Sequence, residues 1–265
     1  MRYEVLGPLR VVDGQGVSSI SAKKVETLLA VLLIQADQVV SQHDLVTAIW
    51  GESLPRRASA AMHVYVCQLR RFLNRPKNTA IVTRPPGYVL HLGDDVLDVN
   101  DLQRLVHEGR TLRRIGRHAE AAEKFRAGLS LWRGPAFDNL RDCHMIDRYA
   151  TWLTELRLEC MELFNDSNLA IGRHQELVGD LYTAIAQYPL REAFYRQLML
   201  ALYRSERRAD ALVVYQRAWE TLDRELGLEP CRPLRELHQG ILRSDGRLGT
   251  AGPRAERLTT AGLAS

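Results

Sequence analysis

Apolar residues recur at helical spacing in successive segments of the first third of the chain. The first segment, from about Ser21 to Ala36, carries the stripe Val25, Leu28, Leu29, Leu32 and Leu33. Ser41 and Asp44 form a capping-box pattern at the start of a second, shorter segment with apolar Leu45, Ala48 and Ile49. Gly51 fits the left-handed position that follows a helix. The pattern predicts two helices, and we expect Trp50, which closes the second stripe, to be a core residue rather than a stacking platform for a base.

A third helical segment and a hairpin follow. The segment starts at Ala58, should end near Asn74 and Pro76, and carries the stripe Met62, Val66, Leu69, Phe72 and Leu73. Residues 80–83 then read as a strand, 84–87 (Arg-Pro-Pro-Gly) as a turn and 88–90 as the returning strand, with Arg84 near the tip. Residues 2–20 alternate around two turn signals and predict two or three short strands.

The order small sheet, three helices, hairpin is that of a winged helix-turn-helix. Four residues of the third helix fall away from its apolar stripe, with Cys67 and Arg70 at the flanks: His63, Val64, Gln68 and Arg71. These positions are the candidates for contact with DNA.

Charge agrees with that reading. The window from Ser53 to Gly93 contains no Asp or Glu but seven cations: Arg56, Arg57, Arg70, Arg71, Arg75, Lys77 and Arg84. The whole chain has 36 Lys and Arg against 32 Asp and Glu, so outside the window acids outnumber bases. A dense basic patch beside a nearly neutral remainder is the footprint of a nucleic-acid-binding surface.

From about Asp101 the chain is nearly all helical by pattern. Its apolar stripes are Leu102, Leu105, Val106, Leu112, Ile115; Ala122, Phe125, Leu129, Trp132; Ile146, Tyr149, Leu153, Leu156, Cys160, Leu163, Ala170; Leu177, Leu181, Ile185; Phe194, Leu198, Leu202; Leu212, Tyr215, Trp219, Leu222; and Leu234, Leu237, Ile241. Similar turn sequences begin at Gly116, Gly172 and Glu206, and the last two lie 34 residues apart, the period of a tetratricopeptide repeat. We therefore expect a solenoid of degenerate helical pairs.

Two stretches carry a family resemblance in the first domain. Residues 62–71 (Met-His-Val-Tyr-Val-Cys-Gln-Leu-Arg-Arg) and 83–88 (Thr-Arg-Pro-Pro-Gly-Tyr) resemble the DNA-binding domain of OmpR-type response regulators. In those proteins a receiver domain precedes this unit, and here we expect none because the unit starts at residue 1. The Pro-Pro-Gly-Tyr wing and residues 49–51 (Ile-Trp-Gly) are more narrowly similar to the SARP family, the Streptomyces antibiotic regulatory proteins.

The second part resembles the bacterial transcriptional activation domain of SARP proteins. The motifs that carry this resemblance are 131–135 (LWRGP), 169–174 (LAIGRH), 188–192 (YPLRE), 198–204 (LMLALYR) and 225–230 (ELGLEP). Three departures affect local turns: residues 165–168 (Asn-Asp-Ser-Asn) replace a more apolar stretch, Glu206 stands where Gly is usual, and Cys231 stands where a small residue is usual. The resemblance implies a mainly α protein with a small β component. It divides the chain into a winged helix-turn-helix domain at 1–97 and a tetratricopeptide-like activation domain at 98–244. Residues 245–265 are rich in Gly, Ala, Thr and Arg with few large apolar residues, a composition that predicts a disordered tail.

The resemblance also implies the roles of single residues. In the recognition helix the DNA-binding positions are His63, Val64, Tyr65, Gln68, Arg70 and Arg71. In the wing they are Thr83, Arg84 and Tyr88, and Lys23 and Lys24 are candidates for contact with the DNA backbone. For Tyr65, Arg70 and Tyr88 a packing role stays open, and Lys23 and Lys24 are otherwise ordinary solvated lysines.

Other classes of protein find little support in the residues. We find no phosphate-binding Gly-rich loop, nucleophile elbow or metalloprotease motif, so we expect no enzyme, catalytic residue, metal or cofactor. Four scattered cysteines form no Cys-x-x-Cys pair, and no long apolar run predicts a membrane span, so a reduced, cytoplasmic protein is expected.

The sequence is thus interpreted as a sequence-specific transcriptional activator. The resemblance to the SARP family implies its partners, which are promoter DNA with direct repeats, a second protomer in tandem, and RNA polymerase holoenzyme contacted through its sigma factor. It also implies that the regulated genes are an antibiotic or secondary-metabolite gene cluster. A ligand-sensing helical-repeat regulator and a peptide-binding adaptor are the alternatives.

Overall fold

We analysed a computed structural model, which describes residues 1–51, 53, 55–73, 80–245 and 248–249. Two compact units emerge from the contacts: residues 1–109 with 124–161, and residues 110–123 with the chain from 162 onward. Asn74 and Pro76, the predicted helix stop, lie outside the described residues, as does most of the predicted disordered tail. Within the described part, no helix combines the length and the apolar character that crossing a membrane requires.

A four-stranded sheet opens the first unit. Its members are β1 (Arg2–Glu4), β2 (Arg10–Asp13), β3 (Gly16–Ser18) and β7 (Val96–Leu97), in the order β3-β2-β1-β7. The first three pair antiparallel, as the turn signals predict, whereas β7 lies parallel to β1 with Leu97 opposite Tyr3. The two-residue strand β7 was not predicted, because so short a segment carries no alternation.

Three helices form the core of the winged helix: α1 (Lys23–Ile34), α2 (Gln42–Trp50) and α3 (Ala58–Leu73). Ser41 caps α2 as expected: its Oγ accepts from the Asp44 N–H at 3.0 Å and donates to Asp44 Oδ2 at 2.6 Å. Gly51 follows α2 with φ of 57°, the positive value that favours glycine. The buried face of α3 consists of Met62, Val66, Leu69 and Leu73, which confirms the predicted stripe.

The wing is a hairpin of β5 (Ile81–Arg84) and β6 (Gly87–Leu90), joined by Pro85 and Pro86. A short strand before α2, β4 (Val40–Ser41), completes a sheet of order β4-β6-β5. A Cβ added to Gly87 would lie 1.8 Å from the carbonyl oxygen of Val40, so only glycine allows β4 to come this close. The wing is therefore attached to the chain that leads into α2.

Asp98 and the segment around Arg133 anchor the chain between β1 and β2. Asp98 is 1% exposed, and its carboxylate accepts hydrogen bonds from the N–H groups of Val5 and Leu6 at 2.9–3.1 Å. Burial raises the pKa of this carboxyl above its ordinary value. The Arg133 N–H donates to Leu6 O at 2.8 Å, and the Phe137 N–H donates to the carbonyl oxygen of Gly7 at 3.0 Å. The first unit thus includes residues beyond the predicted boundary at 97, and that boundary stays a prediction.

The remaining helices give the mainly α fold with a small β component that the sequence predicts. Their bounds are α4 (Asp98–Arg114), α5 (His118–Leu129), α6 (His144–Ala170), α7 (His174–Gln187), α8 (Glu192–Arg204), α9 (Arg208–Leu226) and α10 (Arg232–Leu242), with a short 3₁₀ helix at Asp138–Leu140. The LWRGP motif at residues 131–135 lies between α5 and this 3₁₀ helix.

Two predicted stripes were wrong in part. Ile115 is 63% exposed, because it follows the last residue of α4. In α9 the buried residues are Ala211, Val214, Ala218, Thr221 and Leu222, whereas Trp219 is 40% exposed. Small residues let α9 pack closely against its neighbours, and the larger side chains lie at the edge of the contact, where Tyr215 stacks on His238 at 3.8 Å between ring centroids.

The three related turns share one geometry. Gly116, Gly172 and Glu206 all have positive φ, at 78°, 83° and 62°. The residue after each donates its N–H to a carbonyl five positions earlier, at 2.9–3.0 Å, as in a Schellman motif. The similarity between these turns that the sequence predicts is therefore also present in their backbone geometry.

Polar residues are buried where α6 packs on α8 in the second unit. Gln197 is fully buried: its Oε1 accepts from Asn165 Nδ2 at 3.0 Å, and its Nε2 donates to Asp166 Oδ1 at 2.8 Å and Glu162 O at 2.9 Å. Arg113 and Arg196 pair with the Asp166 carboxylate at 3.6 and 3.3 Å. We call this set of residues the α6–α8 polar network. It explains how the unusual polar stretch at 165–168 is accommodated.

Candidate nucleic-acid interface

One face of α3 is solvent-exposed along its whole length. The exposed residues recur with helical spacing and are Ser59, Ala60, His63, Val64, Cys67, Gln68 and Arg71. All four predicted groove-facing residues lie on this face. Cys67, predicted at its flank, lies on it as well, and its thiol is free and exposed. A helix of 16 residues with one uninterrupted exposed face has the form that enters the DNA major groove.

The side chains on this face differ in how they are held. His63 Nδ1 lies 2.8 Å from the carbonyl oxygen of Ser59. Because a carbonyl oxygen only accepts, Nδ1 is the donor, which leaves Nε2 of the neutral ring as an acceptor directed to a partner. Val64 is 53% exposed, so its methyl groups are accessible on this face. Within the described part of the chain, no hydrogen bond or ion pair holds Gln68 or Arg71.

The outer strand of the wing presents a second set of exposed groups. Val82, Thr83 and Arg84 are exposed, and the chain turns directly after Arg84, which therefore lies at the tip as predicted. β6, in contrast, is buried throughout. The hairpin thus has one strand in the core and one largely exposed strand that ends in a cation.

Arg70 and Tyr88 are predicted site residues that also take part in the fold. Arg70 Nε donates to the carbonyl oxygen of Ile81 and Nη2 donates to Thr83 Oγ1, both at 3.0 Å. Tyr88 is 3% exposed, and this burial raises the pKa of its hydroxyl, which the nearby Arg70 charge opposes. The packing role that the sequence left open is thus favoured for both residues.

Trp50, Tyr65 and Lys24 form a stack where the three helices meet. The Trp50 and Tyr65 rings lie 5.7 Å apart at an interplanar angle of 22°, and Lys24 Nζ lies 5.2 Å from the Trp50 centroid. Trp50 is half-buried rather than a core residue, because α2 buries Leu45 and Val46 instead. The stack holds Tyr65 at the side of α3 and fixes Lys24 near the start of α1.

Lys23 has an acidic partner, unlike those cations of the acid-free window that the structure describes. Its Nζ lies 2.6 Å from Asp142 Oδ2, and both side chains are exposed. The bond lowers the pKa of Asp142. Such an exposed pair contributes little to stability, so a DNA phosphate can compete for Lys23.

Arg56 and Arg57 were not selected as site residues, although the structure exposes both directly before α3. The acid-free window contains them and was the signal that could have found them. Arg75 and Lys77, the other cations of the window without a predicted role, lie outside the described residues.

Comparison with known proteins identifies both parts of the chain. The family described as "Transcriptional regulatory protein, C terminal" matches residues 19–90, and "Bacterial transcriptional activator domain" matches residues 97–242. The solved structure of Mycobacterium tuberculosis EmbR, in complex with a low-affinity phosphopeptide, superimposes with a TM-score of 0.88 at 32% identity, covering 92% of this chain and 65% of that one.

Several proteins that are named transcriptional regulators or regulatory proteins match most of the chain. EmbR of Mycobacterium tuberculosis is 34% identical over 245 residues, and this chain spans 63% of its length. AfsR of Streptomyces griseus is 35% identical, with 94% of this chain matching 25% of that protein. DnrI of Streptomyces peucetius is 32% identical over the full length of both. The chain therefore belongs to the SARP family of transcriptional regulators, which join an OmpR-type DNA-binding domain to a bacterial transcriptional activator domain.

Proposed function

We propose that the protein is a sequence-specific transcriptional activator that reads promoter DNA with α3 and the wing. The observation that carries the proposal is the exposed face of α3, where Gln68 and Arg71 are held by no partner within the described residues. A buried opposite face ties the helix to the core, so these groups are presented on a rigid support. The acid-free window adds the charge that attracts the phosphate backbone.

The residue types on this face suit direct readout in the major groove. Gln68 suits bidentate hydrogen bonds to adenine, Arg71 suits guanine or a phosphate, and Val64 suits contact with a thymine methyl group. The Nε2 acceptor of His63 suits an amino group of adenine or cytosine. Arg84 at the wing tip is proposed to enter an adjacent minor groove, where A·T-rich sequence gives the strongest negative potential.

The family suggests how binding becomes activation. We propose that two protomers bind direct repeats in tandem, and that the activator domain holds RNA polymerase holoenzyme through its sigma factor. A helical repeat suits this role because it offers an extended rigid surface for protein contact. The regulated genes are proposed to be an antibiotic or secondary-metabolite cluster, in keeping with the Streptomyces relatives, and the site of action is the cytoplasm.

The proposal is tested by DNase I protection on the regions upstream of the neighbouring genes, followed by transcription with purified holoenzyme. We expect two protected segments of similar sequence in the same orientation, and more transcript when the protein is added. A Gln68→Ala, Arg71→Ala variant should lose both protection and transcript. Protection without added transcript would contradict activation, and the absence of any protected segment would contradict sequence-specific binding.

A further inference from the structure

Arg70 and Arg71 are adjacent in the last turn of α3 but have different surroundings. Arg71 is exposed on the face predicted to read DNA, whereas Arg70 is half-buried and turned toward the wing. The Arg70 guanidinium donates to Ile81 O and to Thr83 Oγ1, each at 3.0 Å. Both acceptors belong to β5, the strand that ends at Arg84.

We propose that Arg70 is a positioning residue that sets the spacing between the two DNA-reading elements, the exposed face of α3 and the wing tip at Arg84. This inference rests on the proposed function. Arg70 itself touches no base: it makes α3 and β5 one rigid body, so that a base pair read by Gln68 and a minor groove entered by Arg84 lie at a fixed separation.

The geometry of the side chain supports this role. A guanidinium is a planar fork, and two bonds from it to one strand fix both the distance and the angle of that strand. Leu69, Leu73 and Ile81 are buried as well, but apolar packing is not directional. Residues 74–79, which lie outside the described part of the chain, separate α3 from β5 in sequence. The directional restraint shown between them is the Arg70 fork.

The experiment uses the full chain and operator duplexes with one base pair inserted or removed between the helix-protected and the wing-protected bases. Wild-type protein should prefer the native spacing by about tenfold or more, the usual cost of a lost base contact. Arg70→Lys keeps the charge but not the fork, and Thr83→Val keeps the shape but not the acceptor. Each should weaken binding at the native spacing about three- to tenfold and reduce the preference for that spacing.

Arg71→Gln is the matched control, since it removes a neighbouring cation and leaves the fork intact. It should lower the slope of log affinity against log salt by about one and retain the spacing preference, whereas Arg70→Lys and Thr83→Val should leave the slope unchanged. Arg84→Ala should reduce DNA affinity less in the Arg70→Lys background than in wild type, because a misplaced wing already contributes less to binding. Thermal unfolding of each variant tests whether the fold is retained, and Thr83→Val, at an exposed site, is the mildest change.

Two results would overturn the inference. If the Arg70→Lys and Thr83→Val variants keep the full spacing preference, the fork does not set the separation. An Arg70→Gln variant that lowers the salt slope by about one, as Arg71→Gln does, and keeps the spacing preference would identify Arg70 as a phosphate contact. A wild-type protein that discriminates among no operators would instead overturn the proposed function, so the two failures are distinguishable.

Discussion

The arginines of the acid-free window and those of the second unit differ in whether a carboxylate lies nearby. In the acid-free window, Arg56, Arg57, Arg71 and Arg84 are exposed and, among the described residues, none has a carboxylate within ion-pair distance. In the second unit arginines pair with acids along the surface: Arg117 with Glu120, Arg191 with Glu162, Arg207 with Asp210, Arg232 with Glu236 and Arg235 with Glu229. The same residue type is thus exposed without an acidic neighbour in one region and ion-paired in the other.

This difference shows why net charge is a poor guide to function and local charge a better one. The second unit contains many arginines, but neighbouring carboxylates neutralise their field within a few ångströms. A polyanion is attracted where cations lack acids, which is the segment from Ser53 to Gly93. This difference can be tested by replacing either the unpaired arginines of the window or the paired arginines of the second unit.

The largest expected effect is on the salt dependence of DNA binding. If a protomer neutralises about five phosphates, the log–log slope should be about −4 to −5, which is roughly a 10²- to 10³-fold loss of affinity between 50 and 200 mM salt. Replacing Arg56, Arg57, Arg71 and Arg84 with Gln should flatten the slope by about 3 to 4. Fluorescence anisotropy over a salt series measures it.

The matched control replaces four paired arginines of the second unit with Gln: Arg117, Arg207, Arg232 and Arg235. The number of charges removed is the same, so a general loss of positive charge predicts equal flattening. We expect the slope of this control to stay near that of wild type. Equal slopes for the two quadruple variants would remove the distinction between the regions.

The next largest effect is on stability, in the α6–α8 polar network. Gln197→Ala should lower the free energy of unfolding by about 2–4 kcal/mol, because it leaves the amide of Asn165 buried without its acceptor and opens a cavity. Replacing Asn165 and Gln197 together with Leu should cost much less, since no orphaned amide is left. Urea unfolding of both variants measures this. A double variant less stable than the single one would contradict the explanation.

Within the DNA-reading region we expect helix and wing to differ. Gln68→Ala should cost about 1–3 kcal/mol on the cognate operator and relax preference at one base position. Arg84→Ala should weaken binding with a smaller loss of selectivity, confined to A·T pairs beside the site. Titrations on cognate and scrambled duplexes separate these effects. If both variants lose the same affinity on every duplex, Gln68 does not read a base.

Periodicity predicted most of the fold because stripes three and four residues apart mark helices whatever packs against them. The core of α3, the capping of α2 by Ser41 and the wing turn were all visible in this way. The polar stretch at 165–168 was visible as an anomaly, but its partner Gln197 was not, because the pairing depends on which helices pack together. The same holds for Arg70, whose acceptors lie 11 and 13 residues away on another element.

The sequence pattern could not predict the short strands or which residues of α9 are buried. β4 and β7 have two residues each, too few to alternate, and exist because β6 and β1 offer free edges. In α9 both Leu212 and Ala211 fit a helical stripe, and the choice between them is made by close packing against other helices. On the surface, local charge composition indicated the candidate site, whereas the partner of each cation could be identified only from the structure.

The smallest expected effect is at Glu206, which repeats the backbone of Gly116 and Gly172 without being glycine. Its φ of 62° is left-handed, where a Cβ crowds the backbone at a cost of about 1–2 kcal/mol. Glu206→Gly removes that strain but makes the unfolded chain more flexible, which offsets part of the gain. We expect a net stabilisation of about 0.5–1 kcal/mol.

Gly172→Ala, the converse change in the equivalent turn, should destabilise by about 1 kcal/mol. Urea midpoints for both variants give the comparison, and DNA affinity should not change because neither residue belongs to the acid-free window. A Glu206→Gly protein less stable than wild type would show that the Glu206 side chain contributes more than its backbone strain costs.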